Sequence, residues 1–328
     1  MNIMILSPGR RVEIVEYFKK AVEPTGGKII TVDMSPYAPA LYHGDKSYCI
    51  PKNFEDLTEY IRRVIEIGKE EAVTAVLSLI DPELPLLAEN KELFRQNGIM
   101  PIISEKEMAE VTFDKYAFFE EFKEELPVIP TWASKEDVLA AIDRGEVKYP
   151  IFGKVRTGSG SEGLKTFNDE DELKAFESKE DYIFQPFCKK KEFGVDIYFD
   201  LIDGQIKRYF VKEKLSMRSG ETDKAISIRN KQIEEIIMKL SGTGFLGPVD
   251  MDVFEDFDGR LLVNEMNPRF GGGYPHAYNA GVNFMDAIVQ NLQGKVLKSE
   301  LGQYREGLIM MKYNGLAFMD EHELLKRE

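Results

Sequence analysis

Apolar residues in the first third of the chain come in short runs at 3–6, 28–32, 47–50, 73–79 and 100–103, separated by stretches of helical spacing at 11–22 and 54–68. Strands alternating with helices in this rhythm predict an open parallel sheet covered by helices, an α/β arrangement. From about Ala109 the rhythm changes. Asp114 stands where it can cap a helix over 115–125, and the stretch 126–132, with Pro127 and Pro130, predicts a rigid connector. Strands are expected at 149–155, 164–167 and 182–187, with a helix capped by Asn168 between the last two and a later hairpin turning at Asp203-Gly204. Residues 212–228 have turn composition and little periodicity, which predicts a loop able to act as a lid over a site. Residues 232–241 predict a helix ending before Gly242.

The pattern is most informative at 249–254 and 261–269, where Val, Phe and Leu alternate with polar residues on either side of Asp256-Phe257-Asp258-Gly259, a hairpin signal. With Asp258-Gly259 as a two-residue loop, Phe257 pairs with Arg260, Asp252 falls opposite Glu265 and Asp250 opposite Asn267. A four-residue loop moves the partners by two and keeps these side chains on one face; only an odd loop separates them. Like charges about 5 Å apart on facing strands destabilise a sheet unless something neutralises them. Three carboxylates and a carboxamide make an all-oxygen set suited to a hard cation such as Mg²⁺. The competing reading is a solvated outer sheet face. Against it stand Pro268 and Gly271, Gly272 and Gly273, which end the strand where a ligand backbone can approach.

With 328 residues, 43% of them hydrophobic, the chain has room for two or three domains with a real core. No apolar run approaches the roughly 20 residues of a membrane span and no basic leader precedes an apolar segment, so a cytoplasmic protein is expected. Cys49 and Cys188 lie far apart without metal-ligand spacing, which indicates neither a disulfide framework nor a zinc site. A net charge of −14, from 43 basic and 57 acidic residues, argues against nucleic acid or anionic membrane as a partner. An anionic ligand then needs a local cluster of cations. The first turn, Ser7-Pro8-Gly9-Arg10-Arg11, has one glycine where a dinucleotide fold has three, so Asp33 as a ribose-binding acid carries little weight. Between two predicted strands, the Gly/Ser-rich stretch 157–163 offers free N–H groups to phosphate oxygens, although a surface hairpin has the same composition. The histidines, His43, His276 and His322, form no motif.

Taken in order, a lysine at a helix start (Lys115), a strand lysine (Lys154), the Gly/Ser loop, a strand end with a downstream acid (185–192) and Asp252 with Glu265-Met266-Asn267-Pro268-Arg269 together resemble the ATP-grasp superfamily. Within it the chain is similar to single-module ligases related to the carbamoyl-phosphate synthase large subunit, over nearly its whole length. The resemblance implies an α/β and α+β fold: a Rossmann-like pre-ATP-grasp domain at 1–108, then a two-lobed ATP-grasp domain with its small lobe at 109–184 and a C-terminal lobe with metal and acceptor site at 185–328. It implies ATP and Mg²⁺, two ions, with Mn²⁺ as an alternative. Lys115 and Lys154 would contact the phosphates, and the loop around Ser159, Gly160 and Ser161 would close over them. Gln185, Phe187 and Cys188 would hold adenine and Glu192 the ribose. Asp252, Glu265 and Asn267 would bind metal, and Arg269 would steady the phosphorylated intermediate. Two positions depart from the family: Lys190 stands where many relatives have glycine, and Asp250 is an extra acid where some relatives place a basic residue. The activity implied is a carboxylate–amine or carboxylate–thiol ligase acting through an acylphosphate on small molecules. Phosphorylation of bicarbonate or carbamate within a split enzyme, and a non-catalytic ATP-binding sensor or assembly protein, stay open, as does a homodimer or a partner subunit.

Overall fold

The computed structural model describes residues 1–53, 56–158, 163–218 and 220–327. Strands β1 (Asn2–Leu6), β2 (Ile29–Asp33), β3 (Lys46–Cys49), β4 (Val73–Ser78) and β5 (Met100–Pro101) form a parallel sheet in the order β3-β2-β1-β4-β5. Helices cover both of its faces, so Ile3, Met4, Ile5 and Leu6 are all buried, which is why these strands read as continuous apolar runs. The order reverses between β1 and β4, and at such a switch point the loops leaving the two strands part to leave a crevice. Those loops carry Arg11 and Asp81. The expected second helix runs Thr58–Glu70; residues 54 and 55, where it was to begin, lie outside the described residues.

Strands β6 (Ile151–Val155), β7 (Lys165–Phe167) and β8 (Tyr182–Pro186) form a small antiparallel sheet in the order β7-β6-β8, with the helices Lys135–Asp143 and Glu170–Ala175. The second helix is capped by Asp169 rather than Asn168: the Asp169 carboxylate accepts from Glu172 N, while Asn168 N donates to the Glu172 side chain. This layer has a core of its own, around Val138, Ile151, Phe167, Leu173 and Phe184.

The largest sheet is antiparallel, with β9 (Lys191–Phe199), β10 (Ile206–Arg218), β11 (Glu221–Ser227), β12 (Gly247–Glu255), β13 (Leu261–Asn267) and β14 (Ile309–Met311) in the order β13-β12-β9-β10-β11-β14. Residues 212–228, expected to be a loop, are instead mostly strand, the far part of β10 and all of β11. Their buried positions are mostly polar or charged, Lys212, Thr222, Asp223 and Ser227 beside Ala225, with Lys212 and Lys214 held in ion pairs, so no hydrophobic period shows.

The hairpin β12-β13 also differs from expectation. Asp256 N donates to Arg260 O at 2.9 Å, leaving Phe257, Asp258 and Gly259 as an odd, three-residue loop with Gly259 at φ +81°. Yet Asp252 does face Glu265 and Asp250 does face Asn267, because Val253 pairs with Val263 and Asn264 is left over as a bulge. The bulge restores the parity that the loop takes away. Asn264 and Glu265 are consecutive half-buried residues in a strand that otherwise alternates. Phe270, just past β13, packs edge-on against Phe18 of the helix Val12–Val22 at 5.7 Å, so the parallel and the large sheet share one core. Among the described residues no helix is long and apolar enough to cross a membrane.

Candidate active site

Two lysines reach a common cleft from different elements. Asp114 caps the helix Lys115–Phe122 as expected, accepting from Tyr116 N at 2.9 Å and Ala117 N at 3.0 Å, and pairs with Arg156 at 2.7 Å. This fixes Lys115 at the first turn, where its Nζ donates to Gly158 O at 2.9 Å, beside the Gly/Ser stretch. Ser159, Gly160 and Ser161 themselves lie outside the described residues. Lys154, on β6, is buried and donates to Asn264 Oδ1 at 3.1 Å. Burial pulls its ammonium down to about 8, with Lys115 adding to the effect and Glu265 opposing it. Lys115 is lowered as well, by burial first, against the pull of Glu265. Desolvated cations with incomplete pairing gain from a polyanion placed beside them.

On the facing wall, β9, β10, β12 and β13 present alternating charge. Lys214 Nζ lies 2.6 Å from Asp252 Oδ1 and 2.8 Å from Glu192 Oε1, and Lys212 Nζ lies 2.5 Å from Asp196 Oδ2. Gly194 makes these contacts sterically feasible, since a Cβ there would stand 2.8 Å from Lys212 Cε and 3.0 Å from Lys214 Cε. Burial pushes the Asp252 carboxyl up; Lys214 opposes the shift, and Asp250, Glu192 and Glu265 add to it. A carboxylate raised in this way is stabilised by a further cation. Among the described residues no three His, Cys, Asp or Glu side chains gather as a metal-binding group. The carboxylates of Asp252 and Glu265 and the carboxamide of Asn267 line the same cleft.

At the far end, Arg269 Nε lies 2.7 Å from Asp81 Oδ1, and its Nη2 donates to Asp81 Oδ2 at 3.0 Å. Asp250 approaches Nη1 at 3.3 Å. Asp250, the odd acid of the hairpin, is thus a partner of Arg269. The three glycines that follow make room for charged side chains of the protein itself: a Cβ on Gly271 would stand 2.3 Å from Asp250 Oδ1, one on Gly272 3.0 Å from Glu221 Cδ and one on Gly273 2.9 Å from Lys212 Cε. His276 is buried against Phe210, its Nε2 at 2.9 Å from Leu308 O, and burial lowers it to about 4. It belongs to the core.

The opposite end is built from the end of β8 and the residues after it. Gln185 is buried and donates to Thr131 Oγ1 at 2.9 Å, so its side chain pins the connector rather than facing a ligand. Phe187 is exposed, with its ring 6.4 Å from that of Phe257, and Cys188 is half-buried with its thiol pushed up by burial. Glu192 accepts from Lys214 and, at 3.0 Å, from Lys189. Burial raises the Glu192 carboxyl but these two lysines outweigh it, so it stays below its ordinary value.

The three parts border one cleft of about 930 Å³, near the upper end of the roughly 300–1,000 Å³ usual for small-molecule sites. Lys115, Lys154, Gln185, Phe187, Cys188 and Glu192 meet there with Asp252, Glu265, Asn267 and Arg269. Sequence reasoning missed Arg11, Asp81, Lys214 and Asn264. Asp81 and Arg11 could have been found from their place just after strands of a parallel sheet, where open α/β folds bind ligands.

Residues 3–102 match the family model of a PylC-like N-terminal domain, and residues 112–273 that of the ATP-grasp domain. Pyruvate carboxylase of Staphylococcus aureus (strain Mu50) is 28% identical over 179 residues, 48% of this chain but 15% of that protein, so the match spans a small part of the relative's length. Among solved structures, N5-carboxyaminoimidazole synthetase from Staphylococcus aureus has a TM-score of 0.71 at 18% identity, covering 90% of this chain and 78% of that one. The biotin carboxylase domain dimer of Hydrogenobacter thermophilus 2-oxoglutarate carboxylase, solved with MgADP, ADP and bicarbonate, has a TM-score of 0.75 at 18% identity, covering 94% and 73%. Identities this low establish a common fold. With residues 3–102 and 112–273 matched by these two family models, the chain belongs to the ATP-grasp proteins, its ATP-grasp domain following a PylC-like N-terminal domain.

Proposed function

We propose that the chain is an ATP- and Mg²⁺-dependent ligase, acting in the cytoplasm, that activates a small-molecule carboxylate as an acylphosphate and passes the acyl group to an amine. The observation that carries this reading is the meeting in one cleft of Lys115 and Lys154 with the oxygens of Asp252, Glu265 and Asn267. In this reading the chain divides near residues 108 and 184 into a pre-ATP-grasp domain, a small lobe and a C-terminal lobe.

Phosphoryl transfer asks for in-line positioning and neutralised charge more than for a protein nucleophile, so the lack of a Ser, Cys or His motif is no obstacle. Lys115 and Lys154 neutralise the phosphates, and Phe187, Cys188 and Glu192 face the nucleoside, with Gln185 bracing that wall. Asp252, Glu265 and Asn267 would hold Mg²⁺, which supplies charge neutralisation at the phosphate oxygens. An oxygen of the substrate carboxylate takes the γ-phosphoryl group and ADP leaves. The amine nitrogen then attacks the acyl carbon, phosphate leaves and the nitrogen loses a proton. Arg269, held by Asp81 and Asp250, supplies a fixed guanidinium where negative charge develops.

The test is ADP and phosphate release from Mg·ATP with pooled carboxylates and amines, and separately with bicarbonate and ammonia. Release that needs both a carboxylate and an amine supports the ligase. Release with bicarbonate and ammonia alone transfers the reading to a synthase; tight ATP binding without stimulated release makes the protein a sensor.

Three residue-level outcomes follow from the geometry. Glu265→Gln removes a metal-binding charge at nearly constant volume, so turnover falls by about 10²-fold or more with an unchanged circular dichroism spectrum; unchanged turnover sinks the metal assignment. Asp81→Asn frees one side of Arg269 and lowers kcat by about 10- to 100-fold while leaving the KM for ATP nearly constant. An equal rise in that KM would show Asp81 to act on nucleotide binding instead. The Lys154 ammonium, at about 8 in the free protein, rises once phosphate lies beside it. Its contribution to affinity is therefore full below that pH and lost as pH climbs through it: the Kd of Mg·AMPPNP, measured by calorimetry, rises by up to about tenfold per unit above pH 8, and Lys154→Met binds weakly with a flatter profile.

A further inference from the structure

Among the described residues, Arg11, Lys189 and Lys214 are cleft cations without a nucleotide, metal or transfer role, and of these three only Arg11 has no carboxylate partner. Arg11 stands on the loop leaving β1, and its Nη1 donates to Leu79 O and, at 3.2 Å, to Phe270 O, carbonyls from the parallel sheet and from the segment after β13. Among the described residues no carboxylate pairs with Arg11, whereas Arg269 nearby has two. Guanidinium is a planar fork of five donor hydrogens. Two carbonyls fix one nitrogen, and the remaining edge is the one that takes a carboxylate in a bidentate pair.

The loop that presents Arg11 is held firmly. Ser7 has φ +51°, rare for a residue with a side chain, and its Oγ bonds to Glu83 Oε2 at 3.1 Å and to Lys52. Lys52 and Glu83 form an ion pair at 2.5 Å, both 1% exposed, and Tyr60 OH donates to Glu83 at 2.9 Å. Gly9 N donates to Asp33 Oδ2 at 3.0 Å, so the acid that resembled a ribose ligand serves this loop instead. Strain and a buried ion pair beneath a loop are what preorganising a binding group requires. Burial and Arg269 lower the Arg11 guanidinium to about 10, which leaves it a cation at neutral pH. Glu221 and Asp250 line the same end of the cleft and disfavour a dianion such as a phosphate monoester.

We infer that Arg11 anchors a substrate carboxylate that the reaction does not consume, so that one substrate of this ligase carries a carboxylate besides its reacting group. Both an α-amino acid that supplies the amine and a dicarboxylic acid that supplies the acyl group meet this description. The inference rests on the ligase reading for the existence of a second substrate, and its test is separable from that reading.

Thermal shift is measured with the twenty protein amino acids, succinate and glutarate, each beside its carboxamide counterpart, with and without Mg·AMPPNP. At least one carboxylate is expected to give a saturable rise in Tm that its carboxamide does not give; an amino acid or a diacid as the responding compound distinguishes the two sources. Arg11→Met should weaken that ligand by about tenfold or more, with Arg11→Lys intermediate because it keeps the charge without the fork, while the Mg·AMPPNP shift stays at its original size. Equal binding by the wild type and both variants, or no response of the wild type to any carboxylate, overturns the inference. Where Arg11→Met does not fold, the comparison of wild type with Arg11→Lys decides it. Loss of the Mg·AMPPNP shift alone overturns the nucleotide assignment and leaves the carboxylate result readable.

Discussion

Charge buried on the inner face of the large sheet has to be neutralised within the sheet or from the parts packed on it. Taking an ion out of water costs several kcal/mol even after relaxation, so each such group needs a close partner. Lys212 has Asp196, Lys214 sits between Asp252 and Glu192, and Arg269 sits between Asp250 and Asp81. The glycines at 194 and 271–273 are the steric counterpart of these pairs, because the long side chains occupy the space that Cβ atoms would fill.

One of these pairs crosses between sheets, and that gives the molecule its division of labour. Asp81 and Arg11 leave the switch point of the parallel sheet and meet Arg269 and Phe270 at the end of β13, above a core that both sheets share. The small sheet, by contrast, keeps a separate core and reaches the large one through contacts such as Lys154 to Asn264. The Arg269 end of the cleft is accordingly built on the jointly packed part, and the proposed phosphate lysines stand where the separately packed layer meets it. A layer with its own core can shift as a body at less cost than one whose side chains interdigitate with its neighbour.

The parallel sheet was legible in the sequence because strands buried on both faces leave unbroken apolar runs, and the β12-β13 hairpin because its polar residues alternate. The strands at 212–228 were not, since their buried positions are mostly polar or charged and include lysines whose burial is balanced by Asp196, Asp252 and Glu192. Asp81 was hidden because its partner Arg269 is 188 positions away. The cap at Asp114 was legible from local chemistry, whereas neighbouring Asn168 and Asp169 were equally good candidates and only the backbone decides between them. Gln185 illustrates a limit of motif transfer, for the chain direction at that place is as expected while the side chain bonds to Thr131.

The bulge at Asn264 bears on how relatives of this chain are to be found. Because a one-residue change in the turn can be absorbed by a one-residue bulge in the strand, the number of residues between Asp252 and Glu265 is free to differ among proteins whose side chains still meet. A search pattern written with a fixed gap between those two acids would pass over such proteins. One anchored on each strand separately, with the gap left open, would retain them.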